Sequence, residues 1–197
     1  PAMIRAWAAQ LANVVAWIKQ IGGKDYSEIF VNALQQVYPD SNDQSLSAKQ
    51  YENKLYALTH IVLAGSQYYQ YPVSRHDYAW VFDYFDRQID TILSRVKADV
   101  VAEVGIAYML AGEFNNPAFE KTRQNIARQY NEVHQMIPSY FGRFNITTGS
   151  HRNILAIILL SSPEKFHPGP WLNPASEEIS LPEDVHLCVP SQHYLAV

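Results

Sequence analysis

The chain has 197 residues, 48% of them hydrophobic and 17% charged, which makes one globular domain or one with a small appendage and excludes a disordered chain or a coiled coil. A chain of this size buries roughly 70% of its unfolded surface, so its core needs neither metal nor disulfide. A formal charge of −4 and fifteen scattered Lys and Arg argue against nucleic acid as a partner, the lack of any apolar run of about 18 residues argues against membrane insertion, and the single cysteine, Cys188, rules out an intrachain disulfide.

Hydrophobic periodicity predicts seven helices, giving an all-α fold of antiparallel helix pairs over residues 1–161. The first runs from Met3 to Ile21 and stops at Gly22-Gly23, with Ile4, Trp7, Ala8, Leu11, Val14, Val15 and Ile18 in a wide apolar stripe. The second covers Tyr26 to Val37 behind a capping-box pattern, Asp25 with Glu28. A polar loop follows, and Ser47 with Gln50 opens a third helix reaching Tyr69. The fourth is amphipathic, from Ser74 to Lys97, with Val81, Phe82, Phe85, Ile89 and Ile92 on one face. The fifth, Asp99 to Ala111, is apolar almost all round. The sixth starts at Asn116-Pro117 and extends to Ile137, with Val133 in register. The seventh, Ser150 to Leu160, is again apolar nearly all round.

From the third helix onward, apolar helices alternate with amphipathic ones. A helix without a polar face must be covered on every side, so the odd helices belong to an inner layer and the even ones to an outer layer. Leu63-Ala64-Gly65 recurs as Leu110-Ala111-Gly112, 47 residues later, late in two of the inner helices. Beyond Ser162 six prolines forbid long helices. Residues 162–197 read as an extended Pro-rich arm packed on the helices, with one short strand around Val185, Leu187 and Val189.

Three inner-helix residues are candidates for chemistry. His60 faces away from the apolar stripe of its helix, beside Tyr56 and Gln67; the competing reading is a core histidine satisfied by a tyrosine or a carbonyl. Glu103 is the last carboxylate before nine uncharged residues of an apolar helix, where an unpaired charge is costly. Asp99, four residues earlier, reads either as a ligand contact or as the helix N-cap. His151 and Asn153 open the most apolar segment, where solvent-facing polar residues are the bland alternative. Parallel inner helices would bring His60, Glu103 and His151 to one space, able to do general acid/base work. Their spacing is not that of a metal motif, and no cofactor is implied. Tyr68 and Tyr71, in the run Tyr68-Tyr69-Gln70-Tyr71-Pro72, form an aromatic patch with polar tips suited to sugar faces or to protein surfaces. Cys188 has no oxyanion donor or helix start beside it to support a nucleophile reading. Asn145-Ile146-Thr147 matches a glycosylation sequon, a pattern too common to weigh.

The segments Thr59-His60-Ile61-Val62-Leu63-Ala64, Ala102-Glu103-Val104-Gly105-Ile106-Ala107 and His151-Arg152-Asn153-Ile154-Leu155-Ala156 resemble those of a bacterial domain of unknown function, associated with exported proteins of marine gamma-proteobacteria. The helix-pair layout from Tyr26 to Leu160 is similar to the α/α toroids of hairpin glycosidases and polysaccharide lyases. The resemblance implies a periplasmic or secreted protein, with a cytoplasmic one left open, and no catalytic residue can be transferred from it. Toroids close with five to seven hairpins and this chain supplies about three and a half, so further hairpins or a protein partner would complete the ring. The function expected is binding of a small molecule, a saccharide above all, in a polar pocket on the inner face. The alternatives are a hydrolase or lyase using Glu103 with a histidine, and a protein-interaction scaffold.

Overall fold

A computed structural model of the chain describes residues 1–161, which belong to one compact unit, Pro1–Phe166. The Pro-rich arm expected at 162–197, with its strand and Cys188, lies outside the described residues. Seven α-helices and one 3-10 helix occur among the described residues: α1 (Ala2–Gln20), α2 (Ser27–Val37), the 3-10 helix (Asp40–Ser45), α3 (Ala48–Gly65), α4 (Ala79–Arg95), α5 (Ala98–Leu110), α6 (Pro117–Gln129) and α7 (Ile146–Leu160).

The starts of α3, α6 and α7 follow from capping chemistry. Ser47 and Gln50 close a capping box reciprocally on α3. Asn116 accepts from the Ala118 N–H ahead of Pro117 at the first helical position of α6. Asn145 accepts from the Thr148 N–H, so α7 begins at Ile146, four residues before Ser150. Asp25 accepts from the Ser27 N–H but does not form the expected box with Glu28.

Four odd-numbered helices lie side by side. α1 packs on α3, α3 on α5 and α5 on α7, while α2 covers α1, and α4 and α6 pack on α5 and on each other. Side-chain contacts fix the direction: residue 8 meets 53 and 13 meets 60 between α1 and α3, and 56 meets 99 and 59 meets 103 between α3 and α5. On α7, His151 lies beside Glu103, and Leu159 reaches Gly105. The inner helices therefore run parallel. α5 sits at their centre and is the least exposed element, with every residue from Val100 to Leu110 buried. Full burial is worth about 1.5–3 kcal/mol for each large apolar side chain, so α5 anchors the core. A Cβ on Gly105 would stand 2.5 Å from Thr122 Oγ1 and 2.7 Å from Leu159 Cδ1, so the lack of a side chain there lets α6 and α7 close on α5.

Further expectations need correction. The third helix stops at Gly65, not Tyr69. The sixth helix stops at Gln129, not Ile137. The Asn131 side chain accepts from the His134 N–H, its backbone pairs with Met136, and Val133 stands exposed despite its helical register. α4 starts at Ala79, because Arg75–Tyr78 form turns. α7 is not covered all round, since Ile154 and Ile157 are exposed. The two Leu-Ala-Gly segments also differ in role. Gly112 adopts φ +72° just past α5, whereas Gly65 lies against the Tyr78 side chain.

α1 contains a break that its sequence does not announce. Trp7 has non-helical φ −143° and ψ 37°, and the gap is filled by a side chain from α3. Asn53 Oδ1 accepts from the Ala8 N–H (3.2 Å), and its Nδ2 donates to Ile4 O (2.9 Å). The amide thus stands in for the missing Ala8-to-Ile4 bond of the helical ladder, one of the recognised causes of a kink. Tyr38 supports it by donating to Arg5 O and accepting from Asn53 Nδ2. We expect Asn53→Ala to destabilise the fold by about 2 kcal/mol, because it leaves a helical N–H and carbonyl without partners. Urea unfolding measures this, with Asn53→Ala predicted to cost more than Gln50→Ala at the capped end of the same helix.

Candidate functional site

Glu103 is the one residue of α5 that a hydrocarbon core cannot accept uncompensated. Its side chain is 2% exposed. Three groups from two neighbouring helices meet it. Thr59 Oγ1 donates to Oε2 at 2.6 Å, while His60 Nε2 and His151 Nε2 lie 3.8 and 3.7 Å from Oε1. The parallel register brings them together, as α3 and α7 each present the matching turn to the same turn of α5. His60 and His151 differ in access. The His60 side chain is 22% exposed and that of His151 is 67% exposed.

The polar contacts continue beyond the carboxylate. Asn13 Oδ1 on α1 lies 3.0 Å from His60 Nδ1 and accepts from Tyr68 OH at 3.1 Å. The His60 ring thus turns Nδ1 to Asn13 and Nε2 to Glu103. Trp17 lies beside the Tyr68 ring at 6.3 Å. A track of side chains thus crosses α7, α5, α3 and α1 in the order His151, Glu103, His60, Asn13, Tyr68 and Trp17. At the usual 8–10 Å between packed helices it spans roughly 25–30 Å. Below it, Tyr56 stands edge-on to His60 and donates to Asp99 Oδ2 at 2.7 Å. Burial and then the Asp99 charge hold the Tyr56 hydroxyl well above the ordinary tyrosine range, so it remains a donor.

The aromatic run reaches the site through an uncommon backbone. Gln67, Tyr68 and Tyr69 all have φ between 51° and 73°, a left-handed conformation that costs a non-glycine residue roughly 1–2 kcal/mol. Buried Ser66 secures it by donating to Leu63 O and accepting from the Tyr69 N–H. The turn sends Tyr68 to Asn13, and it leaves Tyr69 within the field of Glu103. Burial and then that charge push the Tyr69 hydroxyl up to about 12.

The remaining candidates are placed elsewhere. Gln67 borders a separate cavity between α1, α2 and α3. Tyr71 is exposed beyond the turn. Asn153 is a structural clamp: its Oδ1 accepts from the Ile137 N–H, and its Nδ2 donates to Gly149 O. Asp99 is not the N-cap of α5; that position is Lys97, and Asp99 lies in the first turn, holding Tyr56. Among the described residues no group of His, Cys, Asp and Glu is arranged to hold a metal ion. Sequence reasoning did not select Asn13, Thr59, Trp17 or Tyr69. The available signal was Asn13 and Trp17, four residues apart on one face of α1.

A family model described as a domain of unknown function (DUF3541) matches residues 1–186. The chain belongs to the DUF3541 family. No curated protein and no solved structure matches it. Every residue of the track lies inside the DUF3541 match, so the site is part of the family domain, and its chemistry must be read from its own geometry.

That geometry couples two titrations. Burial pushes Glu103 upward, but His151, His60 and Thr59 together outweigh burial and hold its carboxyl below the usual range. Interaction with that carboxylate raises His151 above 6.5. A depressed carboxylate stabilises the fold above its unfolded pKa, near 4.5, and loses this as pH falls through the folded value. A raised histidine stabilises it below 6.5 and loses this as pH rises through the folded value. The pair therefore contributes most between about pH 4.5 and 6.5. We expect NMR titration of His151 to give a midpoint above 6.5 that falls in Glu103→Gln, with the melting-temperature gap between the two proteins widest inside that window. A midpoint unchanged by the substitution would show that the pair does not couple.

Proposed function

We propose that this domain binds a small hydroxyl-rich ligand, an oligosaccharide in chemical class, along the track that crosses the four parallel helices. The observation that carries the reading is the pairing of one buried, ionised carboxylate with two histidines, one of them open to solvent. In this pair the acid is hidden and His151 is presented to solvent, where a ligand can reach it. Paired donors and acceptors suit sugar hydroxyls, and the exposed Trp17 ring with the half-buried Tyr68 ring beside it suits the apolar faces of pyranose rings. The length of the track fits several sugar units better than one.

A second reading rests on His151. A solvent-facing histidine backed by a buried carboxylate is the arrangement that orients an imidazole for proton transfer. In a hydrolase or lyase, His151 would then be the acid or base that touches substrate. Glu103, depressed and out of contact with solvent, would hold it in place and would not itself be the proton donor.

Calorimetric titration of the full chain with an oligosaccharide panel tests the binding reading. We expect binding that weakens about tenfold or more in His151→Ala and in His60→Ala, the loss typical of a charged hydrogen bond, with the fold intact by circular dichroism. Folded protein that binds no saccharide overturns it. Release of reducing sugar or unsaturated product, lost in His151→Ala and shifted along the pH axis in Glu103→Gln, separates the catalytic reading from simple binding.

A further inference from the structure

At one end of the inner helices lies an open groove of about 940 Å³ between the first turns of α1 and α3 and the Lys97 end of α5. Its charge is locally one-sided. Residues 1–161 carry 14 Lys and Arg against 14 Asp and Glu, yet the groove is lined by Arg5, Lys49, Arg95 and Lys97 against the single carboxylate of Glu52. Lys97 is paired with Glu52 at 2.9 Å, and Arg95 is committed to Asp43 O and Leu46 O. Arg5 and Lys49 have no acidic partner among the described residues and stand exposed at the rim. A pair of cations without acidic partners in a groove of one-sided charge is a recognition feature for an anion.

The groove also holds an aromatic platform. Trp7 lines it and is 59% exposed. Its position depends on the break in α1, and Asn53, which splices that break, is itself a groove wall. An indole held at the edge of a cationic groove can stack on a sugar face while the cations meet its charged substituents. The groove adjoins the track. Tyr56 forms the shared wall, lining the groove with its ring edge-on to His60.

Resting on the saccharide reading, we infer that the ligand is an acidic oligosaccharide, bearing carboxylate or sulfate groups, whose charged end lies on Arg5, Lys49 and Trp7. The neutral hydroxyls of the same ligand run past Tyr56 toward His60 and His151. Selectivity for acidic over neutral sugars then resides in the groove, and the track supplies contacts common to both.

Calorimetry of the full chain with three probes tests this: a neutral cello-oligosaccharide, an oligogalacturonate and a sulfated oligosaccharide of the same length. The inference expects at least one acidic probe to bind about tenfold or more tighter than the neutral one, with affinity falling as salt rises. It expects Arg5→Gln with Lys49→Gln to remove that preference while leaving the neutral probe unchanged, and Trp7→Ala to weaken every probe. The carboxylated and sulfated arms tell which anion is read. Neutral binding equal to acidic, or a double variant without effect, overturns the acidic assignment and leaves the saccharide reading standing. No binding of any probe overturns both. Single-stranded DNA that binds as tightly and displaces the acidic probe also overturns it, making the groove a general polyanion surface.

Discussion

Everything distinctive in this fold follows from placing one carboxylate at the centre of its most buried helix. α5 is surrounded by α3, α4, α6 and α7, and water that could solvate Glu103 is displaced by side chains. An isolated charge in that position would cost several kcal/mol or give up its ionisation. The solution is a shell of hydrogen-bond and ionic partners drawn from both flanking inner helices. That requirement fixes register: sliding α3 by one turn against α5 would separate Thr59 and His60 from Glu103 together. The carboxylate therefore specifies how the row is aligned, a role for which apolar packing alone is less exacting.

A similar logic operates between α1 and α3, with a neutral group. Asn53 enters the α1 ladder and Asn13 receives His60 and Tyr68, so the two helices are joined by polar contacts at both ends of their interface. A second polar cluster secures the outer surface. Buried Lys54 is held by Asp40 and Asp43, Tyr84 donates to Asp43, and Arg95 stacks over Tyr51 while donating to backbone carbonyls of the 3-10 segment. These contacts bind the Asp40–Ser45 turn to α3 and α4.

The elements legible in the sequence were those set by local chemistry or by strong composition. The apolar α5, the Ser47 and Asn116 starts and the isolation of Glu103 all stand in single segments, and the convergence of His60, Glu103 and His151 followed once the inner helices were taken as parallel. What could not be read depends on contacts distant in sequence. The break at Trp7 is filled by Asn53, whose partner Ala8 lies 45 positions away. The left-handed run at Gln67–Tyr69 contains no glycine or asparagine to signal it. Ile137 and Val133 keep helical spacing, yet one is buried and the other exposed, because the Asn131 turn outcompetes the helix. Asn153 looked like a ligand contact, and only the folded loop reveals that its amide is consumed by Ile137 and Gly149.

Parallel packing of the inner helices has an electrostatic consequence of its own. Each α-helix carries roughly half a positive charge at its amino end and half a negative charge at its carboxyl end. Side by side and in the same direction, such dipoles repel laterally, and the outer helices, which return the opposite way, offset that repulsion. The groove collects the amino ends of α1, α3 and α5. The positive character of this end is thus partly a property of the backbone, independent of any titrating side chain. A helical unit with no net formal charge over residues 1–161 is in this way polarised along the helix axis, and it would approach a charged surface in a preferred orientation before any specific contact forms.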